Sequence, residues 1–183
     1  VVNCAGFGVG TDRAQGDDGW SIFYVTLDRH GDPQLMCKYH GRHGWSSVAI
    51  AAGVESFQVL YGVADMPAGV ATRFVRATEL LQSAATSGVV AEQIWQRVVS
   101  VRLALLVRGA ERIRLDPADQ RFDLFGALYA QQDGMRDRGT QIDEATLPAR
   151  QRGYLRRVFS TTTRLRNRSV DDERAPNTAG AAT

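Results

Sequence analysis

The sequence predicts an α+β fold dominated by antiparallel sheet, and three features carry that expectation. Val99, Val101, Leu103, Leu105 and Val107 are apolar at every second position, with Arg102 and Arg108 on the opposite phase; this is the period of a strand with one buried face. Residues 155–166 are rich in threonine and carry Phe159, a composition that suits a pleated sheet better than a helix. Helical composition is confined to residues 79–95, where Ala, Leu, Gln and Glu are interrupted by Ser87-Gly88, so short helices are expected there.

Taken in order, residues 6–19 are rich in glycine and aspartate and read as loop. They lead into an aromatic and β-branched run at 20–27, a strand, and the polar stretch 28–33 separates it from a returning strand at 34–39. Together these make a hairpin. The segment His40-Gly41-Arg42-His43-Gly44 reads as an exposed, glycine-flanked loop. Phe57, Val59, Tyr61 and Val63 alternate with Gln58 and Gly62, predicting a half-buried strand bounded by Gly53 and Asp65. Residues 71–77 are expected to pair back on it across the turn at 66–69. Between the two long strands lies an excursion, 109–153, with Pro117, Pro148 and several glycines. A connection of that length carries a task or a hairpin of its own, and its most apolar piece, 122–129, is expected to pack on the body. The domain reading is a single head over 1–170 followed by a disordered tail, 171–183, which has no large apolar residue.

Composition bounds the function. The 183 residues are 44% hydrophobic and 23% charged, which is ordinary for a globular chain and excludes collagen-like or wholly disordered sequence. A formal net charge of +2 is too small to imply nucleic acid as an obligatory partner. The apolar run Val48 to Val54 falls far short of the roughly 20 residues that span a bilayer. No basic, apolar leader follows Val1, so an upstream segment is expected to have been removed.

Two cysteines, Cys4 and Cys37, cannot by themselves make a four-ligand zinc site. A disulfide is their simplest use; it would close a loop of about 34 residues, stabilise the fold by about 3.5 kcal/mol, and imply an oxidising compartment. Two buried thiols in a reducing compartment are the alternative. Gly6-Phe7-Gly8-Val9-Gly10 lacks the spacing and the following Lys-Ser/Thr of a phosphate-binding loop. His30, His40 and His43 read as solvated loop residues rather than metal ligands. Nucleophile-elbow and zinc-protease patterns are missing, and the paired carboxylates Asp17-Asp18 and Asp143-Glu144 sit among loop residues. The reading is therefore non-catalytic, with no cofactor and no metal. Asn167-Arg168-Ser169 fits a glycosylation sequon, a frequent chance match.

One charge feature stands out. Residues 145–170 hold seven arginines and no acidic residue. On the functional reading Arg156, Arg164 and Arg166 contact an anionic partner such as DNA or an acidic polymer. On the preferred reading they line the solvent face of a strand, or pair with acids such as Asp116, Asp119 and Asp123 in the excursion.

The two long strands, 95–108 and 155–168, resemble the PilW family of type IV pilus minor pilins. Gly53-Val54-Glu55-Ser56-Phe57-Gln58-Val59-Leu60-Tyr61-Gly62-Val63 is similar to a third stretch of that family, and the Asn3-Cys4 entry with a later single cysteine to a fourth. The resemblance runs from Asn3 to Arg168. It implies a pilin-like, β-rich periplasmic head, held by a disulfide and preceded by a prepilin leader and an apolar N-terminal helix not present in this sequence. It also implies partners: other minor pilins, the major pilin and a tip-associated adhesin, with membrane contact through that helix; nucleic acid is not expected as a partner, on the charge argument above. Such a protein is inner-membrane anchored before it enters the extracellular fibre, and its task is priming pilus assembly. The J-type minor pseudopilin of type II secretion shares the architecture and is the alternative. Many family members carry an aspartate- and glycine-rich loop, similar to a calcium ligand set, after the Tyr61-Gly62-Val63 motif. Here that loop has a single carboxylate, Asp65, too few for the six to eight oxygens calcium takes.

Overall fold

The structure is a computed structural model that describes residues 2–6, 20–41, 44–65, 69–113 and 120–165. The described elements follow as β1 (Ser21–Leu27), β2 (Pro33–Gly41), β3 (Gly44–Ala52), β4 (Val54–Val63), β5 (Arg73–Val75), α1 (Ala77–Ser87), α2 (Ala91–Trp95), β6 (Val98–Arg112), β7 (Arg121–Asp123), α3 (Ala127–Gln132), β8 (Gln141–Asp143) and β9 (Tyr154–Arg164), with 3₁₀ turns at Glu144–Thr146 and Ala149–Gln151. This is the expected α+β class, rich in antiparallel strands. Two compact units are formed: Val1–Val59 with Leu103–Thr161, and Leu60–Arg102 with Thr162–Thr183. Strands β5, β4, β6 and β9 form a four-stranded sheet in that order. The expected tail at 171–183 and the turn residues 66–68 lie outside the described residues.

In the first unit, β1, β2 and β3 form an antiparallel sheet in that order. The first two are the hairpin read from the sequence. Asp28 ties their connection, its Oδ1 accepting from the backbone N–H of His30 at 2.8 Å and of Asp32 at 2.9 Å. The Asp32 N–H, with help from its neighbours, holds the Asp28 carboxyl below the usual aspartate range. Strand β3 is a correction. The sequence reading makes His40 to Gly44 a loop and assigns no strand to the residues after it, but β3 pairs back on β2 from Gly41↔Gly44 to Gln34↔Ala52, with a bulge between Leu35 and Met36. Both faces of β3 are largely exposed, so its sequence has no reason to alternate, and alternation is the signal by which a strand is read.

Gly53 is the junction between sheets. Its N–H donates to the Pro33 carbonyl in β2 at 2.7 Å, and its carbonyl accepts from the Arg108 N–H in β6 at 2.8 Å. The backbone sits at φ +76°, and a Cβ there would lie 2.5 Å from the Arg108 carbonyl oxygen. Only glycine combines that conformation with so close an approach. The excursion carries its own two-stranded sheet, with Phe122 opposite Ile142. Leu124 and Phe125 are buried as expected. Helix α3 was not expected, because it covers six residues and buries only Ala130, which leaves no apolar period to read.

In the second unit, Tyr61↔Val75, Gly62↔Phe74 and Val63↔Arg73 pair β4 with the short β5. Val63, Val75, Leu80, Ala84, Ile94 and Val98 make its core, with Tyr61, Val89 and Trp95 packed against it. Tyr61 and Trp95 meet edge to face at 4.9 Å. The helices fall where composition placed them. α1 opens at Arg76, whose backbone N–H donates to Glu79 Oε2 at 3.1 Å while its guanidinium reaches Oε1 at 2.5 Å. It closes on Gly88 in the left-handed conformation. Partial burial raises the Glu79 pKa, and the hydrogen bonds and charge of Arg76 outweigh it, so the carboxyl titrates below the usual range.

Two outcomes follow for stability. Gly53→Ala loses at least about 1 kcal/mol in urea denaturation, since it combines a left-handed backbone with a backbone clash. Gly62→Ala behaves alike, its Cβ meeting Ser100 Oγ at 2.1 Å and Ala71 Cβ at 2.9 Å. The second outcome concerns pH. A depressed Glu79 pKa adds stability above the unfolded-state pKa, and this is lost as pH falls through the folded one. Glu79→Gln therefore costs about 0.5–1 kcal/mol at neutral pH, and its urea midpoint converges on that of the parent chain in acid. Parallel midpoint curves across the acid range would show that the Arg76 pair has no such role.

Candidate functional site

The sequence nominated two cysteines and three arginines. Cys4 and Cys37 are joined in a disulfide, with their Cα atoms 6.4 Å apart. Cys37 is fully buried in the central strand β2. Around the bridge, the Cys4 N–H donates to Ser21 Oγ at 3.1 Å, and Asn3 turns the chain by accepting from the Ala5 N–H through Oδ1 at 3.1 Å and from the Gly6 N–H through its carbonyl at 2.9 Å. Residues 3–6 are thereby fastened to the middle of a sheet.

Arg156 corrects the solvent-face and anionic-partner readings, while its pairing with an acid of the excursion agrees with the remaining one. It neither faces solvent nor stands ready for a partner, because its side chain is 0% exposed. Its guanidinium forks onto Glu55, Nε to Oε2 at 2.6 Å and Nη2 to Oε1 at 2.9 Å, while Nη1 donates to Glu144 Oε1 at 2.9 Å and Nη2 also donates to the Gln151 carbonyl. Glu144, likewise 0% exposed, accepts from the Gly153 N–H at 2.8 Å as well. Of the acids named as examples, Asp123 pairs instead with Arg121 at 3.3 Å and accepts from Gln141, and Asp116 and Asp119 lie outside the described residues. A buried guanidinium needs its donors filled and its charge met, and two carboxylates and a carbonyl do both.

Arg108 extends the network, and it was read only as an off-phase position of a strand. Its Nη2 meets Asp32 Oδ1 at 2.5 Å and its Nε lies 3.9 Å from Glu55 Oε1. The plane of its guanidinium carbon stands 4.2 Å from the Tyr154 ring centre, a cation–π contact. The sequence signal was available in part: Arg108 and Arg156 each interrupt a strand on the phase that the fold buries.

The remaining nominees do not converge. Arg164 is exposed at the end of β9; Arg166 and His43 lie outside the described residues. His40 packs edge to face on Trp45, ring centres 5.5 Å apart, and His30 accepts from Arg29. Asp143 caps the following 3₁₀ turn, its Oδ1 accepting from the Ala145 N–H at 2.9 Å. Asp65 lies within 3.8 Å of Arg97. Among the described residues no group of three or more His, Cys, Asp or Glu is placed to hold a metal. What the arrangement does chemically is hold shape, by locking charged groups inside a sheet.

Removing one member of a buried ion cluster strands the others. Arg156→Met is expected to lose about 3–5 kcal/mol in urea denaturation, and Arg156→Met with Glu144→Met to recover part of that loss. An exposed, partner-seeking arginine would instead show no change in midpoint.

No curated protein and no solved structure matches the chain. A family model does: PilW, Type IV Pilus-assembly protein W, over residues 22–167. That span holds the β1–β2–β3 sheet, the Gly53 junction and the whole buried arginine network, so the likeness takes in the described fold from its first strand to its last. The chain belongs to the PilW family of type IV pilus-assembly proteins.

Proposed function

We propose that this PilW protein acts as a minor pilin, a non-catalytic building block whose head docks with the heads of companion minor pilins in a complex that primes pilus polymerisation and stays near the fibre tip. Its further contacts are the major pilin and a tip-associated adhesin. On this reading the head lies in the periplasm, tied to the inner membrane, before it enters the extracellular fibre. No helix among the described residues is long and apolar enough to cross a membrane, and the reading assigns that task to an N-terminal helix preceding Val1. The cysteine pair agrees with an oxidising compartment.

The observation that carries the proposal is the outer strand of the first sheet. β3, with sequence GWSSVAIAA, stands at a sheet edge with Trp45, Val48 and Ile50 exposed. It contains neither a charged residue nor proline, the usual devices that keep edge strands from pairing with other chains. Ile22 and Phe23 of β1 add exposed apolar surface to the same sheet. Apolar area of this kind suits burial against another subunit, and an assembly protein needs such a surface rather than a reactive centre.

Val48→Lys with Ile50→Lys should leave the unfolding midpoint nearly unchanged, since both side chains face solvent, and should weaken binding to companion minor-pilin heads by about tenfold or more in titration calorimetry. A clean deletion should strip cells of surface fibres seen by electron microscopy. Undiminished fibres together with a secretion defect would transfer the protein to the J-type pseudopilins of type II secretion.

A further inference from the structure

The first unit contains a cleft on either side of Arg108. One half, a cavity of about 280 Å³, is walled mainly by Val25, Leu27, Pro33, Ile142 and Leu147, with Glu55 and Arg108 as its charged groups. The other half, about 270 Å³, is polar, with His30, Asp32, Arg150, Gln151 and Tyr154 around Arg108. An apolar compartment that leads to a few convergent polar groups is the usual form of a small-ligand site.

The charges indicate what would fill it. Arg108 is 7% exposed and held in place by Tyr154. Of its two carboxylates, Glu55 lies at 3.9 Å and already gives both oxygens to Arg156. The close one, Asp32, is 62% exposed and sits on a surface turn. Arg150, at the rim of the polar half, makes no ion pair or hydrogen bond among the described residues. A nearly buried guanidinium whose near partner is a solvent-facing carboxylate can exchange that partner for another carboxylate without being stranded. We propose that this cleft binds a carboxylate borne on an apolar stem: the carboxylate replaces Asp32 on Arg108 and reaches Arg150, while the stem enters the compartment lined by Leu27 and Ile142. The ligand is either a free aliphatic acid or the carboxyl terminus of a polypeptide ending in an apolar residue. This site is independent of the pilus-assembly reading and stands whether or not the head docks as proposed above.

The test is titration calorimetry on the intact chain with hexanoate, hexylamine and hexanol, and with a short peptide ending in leucine whose terminus is free or amidated. Hexanoate or the free-acid peptide should saturate one site, and the tighter of the two identifies the source. Asp32→Asn, which removes the resident competitor from an exposed position, should tighten binding on the order of tenfold, and Arg150→Gln should weaken it about fivefold. The proposal is overturned if neither acid saturates a site on the parent chain or on Asp32→Asn. Equal binding of the amine, the alcohol or the amidated peptide would overturn it too, as would an affinity that neither substitution moves.

Discussion

The structure of the first unit depends on one guanidinium. Arg156 enters from β9, Glu55 from β4 and Glu144 from the end of the excursion, and their contacts fill every strong electrostatic demand that the three would otherwise make on water. Arg156 and Glu55 are separated by 101 residues along the chain. A buried cluster of this kind contributes little net stability compared with apolar residues of equal volume, but it tolerates very few alternative arrangements, because each misplacement leaves a charge unmet. For this protein its consequence is register: β9 and β4 have one relative placement that satisfies it. The Gly153 N–H on Glu144 and the Gln151 carbonyl on Arg156 draw the backbone ahead of β9 into the same arrangement.

Around that centre the chain is fastened by devices of different physical kinds. The disulfide is covalent and works mainly by limiting the unfolded chain. Gly53 is steric, a left-handed residue bonded to strands of two sheets. Glu79 and Gly88 are local, ending one helix at each end. None of these produces a reactive group. Among the described residues, Arg156, Glu55 and Glu144 are occupied with one another inside, and β3 is an uncharged strand at a sheet edge.

Much of the fold was legible from residue order. The hairpin of β1 and β2, the strands β4, β6 and β9 and the helices at 77–95 all announce themselves through period or composition, but the buried face does not: beyond Ser100, β6 buries Ala104, Leu106 and Arg108 while Val101, Leu103, Leu105 and Val107 are only half-buried. β3 and α3 do not announce themselves at all. Their apolar residues are too exposed or too few to leave a period, and the pairing of β3 is imposed by β2 through backbone hydrogen bonds that have no residue code. The glycines at 41 and 44 pointed to a loop and are instead the last paired residues of β2 and β3.

By itself the sequence determined the class of fold, the order of its main strands, the candidate cysteine bridge and the family to which four stretches of residues are similar. These are properties of local pattern, carried by residues near each other in the chain. Which face of β9 would be buried was decided only in three dimensions. An arginine alternating with apolar residues is equally compatible with solvent and with a carboxylate pair, and the choice rests on Glu55 and Glu144 arriving from distant segments. The cleft beside Arg108 has the same origin, since a concave surface exists only where separate segments meet.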